Sequence, residues 1–317
     1  MRVVNGHKRF TNPSLRPRQW LDALVGTFPC LLPGQEPVMP SAEVLSRPAR
    51  PADVVVRYGS GPDRVADVRL PAHAVSPPEA AGRAAPLVLF LHGGFWRAAY
   101  DRRHTGPLAE ALADSGFIIC TPEYRKVGQA GGGWPGTFDD VAAAIQLLPD
   151  LVAQATDRMA DPDRVVLGGH SAGGHLALWA ASTARRSESA KSRLLGVVSL
   201  AGVCDLSGCY LQGLGDGAAG ELMGGGPAEL ADRYARADPM QLLPASVPIK
   251  LVHGMSDDRV PWQQSSEYAA TAELAGDIVD CTLLPECGHF ELIDPLSSAW
   301  PAVLAAFKDT AVGLARP

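Results

Sequence analysis

The chain has 317 residues, of which 46% are hydrophobic and 20% charged, and its formal net charge is −6. That length suits one large α/β domain, and this much apolar material can build a sizeable core. The acidic balance argues against a nucleic-acid or anionic-membrane partner, and no apolar run approaches the ~20 residues of a membrane span.

Residues 1–50 are rich in Pro and Arg and read as an N-terminal extension, with a short helix expected at 19–25. The apolar part of that segment contains Asp22 and Pro29 and leads to no small-residue cleavage site, so it does not read as a secretory signal. From 51 to 317 the pattern is that of one domain. Residues 54–58, the turn at 59–63 and residues 65–70 read as a β-hairpin, followed by an Ala/Pro-rich linker at 71–86. The continuous apolar run at 87–91 fits a strand buried on both faces. A helix at 108–112 stopped by Gly116, a strand at 117–120 and a helix at 138–148 ended by Pro149 come next. Then follow a strand at 165–167, a helix at 174–184 and a strand at 197–200. Residues 202–245 break the rhythm with Gly/Pro-rich text, too long for a plain loop, and read as a cap or lid. A strand at 249–252, a helix at 263–275, a strand at 278–284 and a helix at 299–312 close the chain. This alternation implies an α/β fold with a mostly parallel central sheet and helices on both faces.

Gly169-His170-Ser171-Ala172-Gly173 matches G-x-S-x-G between an expected strand and an expected helix. A serine on a sharp strand-to-helix turn needs unusual backbone angles and neighbours without bulk, and it gains the positive end of the helix behind it. His92-Gly93-Gly94-Phe95-Trp96 directly follows the strand at 87–91. The amides of Gly93, Gly94 and Phe95, with that of Ala172, are the expected donors to an oxyanion. An acid is expected from Asp257 on the loop after the strand at 249–252; its neighbour Asp258 is the alternative, read as a helix N-cap ahead of Pro261. His289, in Glu286-Cys287-Gly288-His289-Phe290, is the expected base, because it alone among the candidate histidines follows the acid. His92 and His253 each precede a glycine at a strand end, where a ring would brace a loop. Trp96, Trp134, His170 and Tyr210 are candidate substrate-pocket residues, with Tyr124 and Phe138 as further aromatics; each aromatic also reads as core. Six cysteines without metal-ligand spacing read as reduced thiols, which points to a cytoplasmic location. No metal and no cofactor is expected.

With these residues assembled, the chain resembles the α/β-hydrolase superfamily from about residue 50 to 312. Within it, HGGFW at 92–96 is similar to the HGGxW motif of arylformamidases (kynurenine formamidases) and related bacterial esterases. GHSAGGHLA at 169–177, HGMSDDRVP at 253–261 and CGHFELIDP at 287–295 are similar to the corresponding segments there. The resemblance implies a cofactor-independent serine hydrolase acting on a small-molecule ester or arylformamide. It gives Ser171 as nucleophile, Asp257 as acid, His289 as base and the amides near Gly94, Phe95 and Ala172 as oxyanion donors. An acyltransferase or cyclase using the same residues is the alternative, and a homodimer is an open assembly.

Overall fold

A computed structural model describes residues 40–72, 84–184 and 193–312. Eight strands form one sheet in the order β1-β2-β4-β3-β5-β6-β7-β8. They are β1 (Val54–Arg57), β2 (Val65–Arg69), β3 (Ala85–Leu91), β4 (Ile118–Pro122), β5 (Ala160–His170), β6 (Leu194–Leu200), β7 (Ile249–Gly254) and β8 (Val279–Leu284). The expected hairpin is present: β1 pairs antiparallel with β2, and β2 antiparallel with β4. From β4 to β8 every neighbouring pair is parallel.

The period-two geometry of a strand divides the apolar runs between two cores. Leu87, Leu89 and Leu91 of β3 face one side with Val165, Leu167 and Ile249, whereas Val88 and Phe90 face the other with Val166, Val198 and Val252. The first core is closed by α2 (Gly136–Ala155) and α3 (Ala172–Ala184), and the second by α1 (Gly106–Asp114) and α8 (Trp300–Val312). Both faces of the central strands are therefore dry, which is why they read as unbroken hydrophobic text.

Two expectations need correction. The helix α2 does not stop at Pro149 but runs through it to Ala155. An interior proline costs ~3 kcal/mol. The buried stripe Val141, Ala144, Leu148 and Val152 continues across it, and burying Leu148 and Val152 contributes roughly 1.5–3 kcal/mol each. Strand β5 is also much longer than the run at 165–167, because it begins at Ala160 and pairs there with Ala85. The last part of the N-terminal extension packs on the domain. A 3-10 helix, Pro40–Ser46, buries Val44 in the second core, and Arg47 makes a two-pronged ion pair with Asp294. The short helix expected at 19–25 and most of the linker at 71–86 lie outside the described residues.

The segment between β6 and β7 is built from α4 (Leu206–Leu211), α5 (Leu214–Met223) and α6 (Ala231–Ala237), with a 3-10 turn at Pro239–Leu242. Ala218, Ala219, Leu222 and Met223 bury themselves in the first core, so this cap is packed down rather than loose. Asp238 ties its two ends together by accepting from the amides of Leu206, Ser207 and Met240. No helix among the described residues is long and apolar enough to cross a membrane.

Candidate active site

Strand β3 sits between β4 and β5, so chain order reverses there and the loops leaving β3 and β5 meet at one edge of the sheet. Such a switch point is where open α/β sheets form their binding crevice. The loop after β3 is His92-Gly93-Gly94; the loop after β5 is Ser171 alone, because α3 begins at Ala172.

Ser171 has φ 56°, a left-handed angle that L side chains adopt only when the surroundings enforce it. Its amide donates to the Leu200 carbonyl at 2.9 Å, and its own carbonyl accepts from His175 at 3.1 Å. Close approach demands the glycines. A Cβ on Gly173 would stand 2.0 Å from the Leu91 carbonyl oxygen, and one on Gly93 would stand 3.1 Å from Ser171 Cβ. Phe95 and Trp96 also carry positive φ, 50° and 57°, which turns the backbone of the β3 loop sharply. Among the described residues, the amides of Gly93, Gly94, Phe95 and Ala172 donate to no backbone carbonyl. The amide of Ala172 opens a 13-residue helix whose dipole favours negative charge at that end.

Asp257 follows β7, and its side chain is buried. Its Oδ2 accepts from His289 Nδ1 at 2.7 Å, and its Oδ1 accepts from the amides of Arg259 and Val260 at 2.8 Å each. Burial would raise its pKa. Hydrogen bonds from His253, His289 and Val260 more than offset that and hold the carboxyl well below the usual range. Asp258 is half-exposed and faces Arg259 instead. With the Nδ1 proton of His289 given to a carboxylate, its Nε2 is left as an acceptor.

His170, the residue before Ser171, holds the His289 segment. The His170 ring lies 4.5 Å from that of His289, and its Nε2 donates to the His289 carbonyl at 3.0 Å. Burial, reinforced by the neighbouring His289, keeps His170 well below its ordinary pKa and hence neutral. Its role here is packing against His289.

The candidate pocket residues fare differently. Trp96 is wholly buried, edge-on to His175, and belongs to the core rather than to an open pocket wall. Tyr124 is likewise buried, stacked on His92 at 4.4 Å with its hydroxyl donating to the His92 carbonyl. Phe138 is buried against Trp179. Trp134 is half-buried beneath the Arg236 guanidinium, and Tyr210 on the cap is 37% exposed.

His92 and His253, expected to brace loops, have partners that the sequence reading did not single out, Glu123 and Ser265. His92 Nε2 is 2.9 Å from Glu123 Oε1, and Glu123 also holds Lys126 and the Arg102 amide, so a buried charge cluster anchors the base of the Gly93–Gly94 turn. Burial pushes Glu123 upward, but hydrogen bonds and charges from His92 and Lys126 prevail and keep it well below the carboxylate range. A carboxylate directly after the apolar strand at 118–122 was the available signal. On the other side, His253 Nε2 faces the Val260 carbonyl at 2.9 Å and Asp257 Oδ2 at 3.3 Å, while its Nδ1 lies 2.7 Å from Ser265 Oγ. No cluster of three or more metal-capable side chains occurs among the described residues. Cys120, Cys204, Cys209, Cys281 and Cys287 are free thiols, and all but Cys281 are buried.

The family model BD-FAE matches residues 74–271, a stretch that holds Ser171 and Asp257 and ends before His289. The chain belongs to the BD-FAE family. This is a family of α/β-hydrolase esterases. Esterase LipQ of Mycobacterium tuberculosis is 29% identical over 230 residues, covering 67% of this chain and 52% of that protein. The kynurenine formamidase of Danio rerio is 25% identical over 248 residues, with 76% and 75% covered. A non-reducing polyketide synthase, ausA of Aspergillus calidoustus, is 36% identical over 147 residues, which is 44% of this chain and 6% of the synthase. The chain thus spans about half the length of LipQ. Among solved structures, a truncated carbohydrate esterase from gut microbiota superposes with TM-score 0.68 at 20% identity, covering 82% of this chain and 97% of that one. Esterase B from Lactobacillus rhamnosis gives TM-score 0.68 at 20% identity, with 86% and 91% covered. These likenesses establish the α/β-hydrolase fold.

Proposed function

We propose that this BD-FAE member is a serine hydrolase that cleaves a carboxylic ester or an arylformamide through an acyl-enzyme. The observation that carries the reading is the 2.7 Å hydrogen bond from His289 to a buried, ionised Asp257, beside a serine held at φ 56°. In this reading His289 Nε2 removes the Ser171 hydroxyl proton as Oγ attacks the carbonyl carbon. Asp257 keeps the Nδ1 tautomer in place and stabilises the imidazolium. The oxyanion is received by amides from Gly93, Gly94 or Phe95 and by that of Ala172, in a water-poor site where such dipoles act strongly. The imidazolium then protonates the leaving group, and water activated by the same ring releases the acid.

The similarity to a kynurenine formamidase across three-quarters of both chains supports testing N-formyl-kynurenine beside a series of p-nitrophenyl esters. Wild-type protein is expected to turn over at least one of them, and Ser171→Ala to lose several powers of ten in kcat. A fluorophosphonate should label wild type and leave the Ser171→Ala variant unlabelled. Near-normal turnover by the alanine variant would end this reading. The partial similarity to polyketide synthases favours a second one, acyl transfer to an alcohol or amine in place of water. Supplying candidate acceptors and weighing transferred against hydrolysed product separates the two.

A further inference from the structure

A cavity of about 610 Å³ opens between residues 45–52, the end of β2 and residues 98–104, and neither Ser171, Asp257 nor His289 lines it. Four arginines stand in its wall, Arg47, Arg50, Arg69 and Arg103, against the carboxylates of Asp67 and Asp101. Three of the four are already matched. Arg47 is paired with Asp294, Arg50 with Asp53 at 2.8 Å and Glu110 at 3.9 Å, and Arg103 with Asp101 at 3.3 Å. Arg69 is not. Its neighbour Asp67 is taken by Arg102 at 3.0 Å, and among the described residues Arg69 forms no ion pair.

Arg69 is only 6% exposed, its Nη2 donates to the Arg50 carbonyl at 3.2 Å, and its buried Nε has no acceptor. The Nε of Arg50 and the Nδ1 of His104 are also buried without hydrogen-bond partners. A buried guanidinium that lacks an anion is costly, and a buried donor such as its Nε without an acceptor is rare in a finished structure. Apart from Ser46, the other lining residues are apolar: Leu45, Pro48, Pro51, small alanines and the ring of Tyr100, which is 42% exposed. A planar fork beside an apolar wall matches a carboxylate head on a small hydrophobic body.

We propose that this cavity is a binding site for a small organic carboxylate, held by Arg69 with its body against Tyr100 and the prolines. The site neighbours the Gly93–Gly94 turn without being part of it. Tyr100 packs against Gly94, where an added Cβ would stand 2.5 Å from Tyr100 Cβ, while Gly93 packs against Ser171. Binding is therefore independent of the serine.

Titration calorimetry of the full chain with benzoate, its neutral isostere benzamide, and inorganic phosphate tests this. Saturable benzoate binding is expected, equal in wild type and Ser171→Ala, with no saturable binding of benzamide and weaker binding of phosphate. Arg69→Met should weaken benzoate at least about tenfold. Ala99→Glu, which puts a negative charge at an exposed position of the wall, should weaken it without changing the melting temperature, and it keeps the test decisive if Arg69→Met does not fold. Absence of saturable benzoate binding overturns the proposal, as does binding indifferent to both variants. Loss of binding after fluorophosphonate labelling would put the carboxylate at Ser171 instead, and phosphate binding as tight as benzoate would make this an inorganic-anion site.

Discussion

Asp257 and Asp258 share a peptide bond but meet different surroundings. The first is buried among the amides of Arg259 and Val260 and the ring of His289, with His253 at 3.3 Å. The second is 52% exposed, 3.5 Å from a half-exposed Arg259, an arrangement that contributes little in water. Local turn geometry makes the difference, because both Asp257 Oδ1 bonds run to amides two and three residues ahead and commit its side chain inward. Asp257→Asn should therefore cost about three to four powers of ten in kcat, by presenting an amide where His289 Nδ1 needs an acceptor. Asp258→Asn should leave kcat within about twofold and stability within about 0.5 kcal/mol. Steady-state kinetics of the two variants against wild type checks this, and equal losses would remove Asp257 from its assigned role.

The cap illustrates how elements are held. Arg97 reaches from the β3 loop to Glu221 at 2.7 Å and to the Asp216 carbonyl at 3.2 Å, which looks like a latch. Both partners of the ion pair are substantially exposed, however, whereas Leu222 beside it is buried in the first core. Magnitudes decide: Glu221→Gln should cost under about 1 kcal/mol, and Leu222→Ala about 2–5 kcal/mol. Urea unfolding of both variants measures the contrast. Legibility in the sequence followed the same division between local and long-range causes. The central strands could be read because β3 to β7 are dry on both faces, and α2 was misjudged at Pro149 because packing on distant strands overrode a local signal. Ser171 and the Gly93–Gly94 turn could be read because tight turns leave glycines in fixed places. Glu123 under His92 could not, since its partners stand 3 to 31 positions away with no periodic spacing. The inward turn of Asp257 over Asp258 follows its local bonds to the amides of Arg259 and Val260, whereas its partner His289 stands 32 residues on.

At the scale of the whole molecule, two sets of buried groups make stability fall with acid, over different pH ranges. Asp257 and Glu123 are held below the ordinary carboxylate range, so the stability they add is intact at neutral pH and fades only as pH falls through that range. The buried histidines act earlier. Burial lowers His175 to about 4, with its ring between Trp96 and Phe138 and Nε2 3.0 Å from the Ala237 carbonyl. His104 is lowered to about 4 as well, by burial and by neighbouring His92, and His170 well below its ordinary value. A histidine freed by unfolding binds a proton near pH 6.5, which the folded protein refuses until about pH 4. The unfolded state therefore takes up more protons between those values, and stability falls as pH drops from 6.5 toward 4. His175 alone should cost on the order of 2 kcal/mol at pH 5, and His104 less because it is not fully enclosed. Urea midpoints between pH 7.5 and 5.0 should accordingly fall steadily, before Asp257 or Glu123 is protonated. His175→Gln, which keeps a donor for Ala237 but cannot titrate, should flatten that slope even if its midpoint at pH 7.5 is lower. A variant with the wild-type slope would show that His175 is not the group that couples folding to acid.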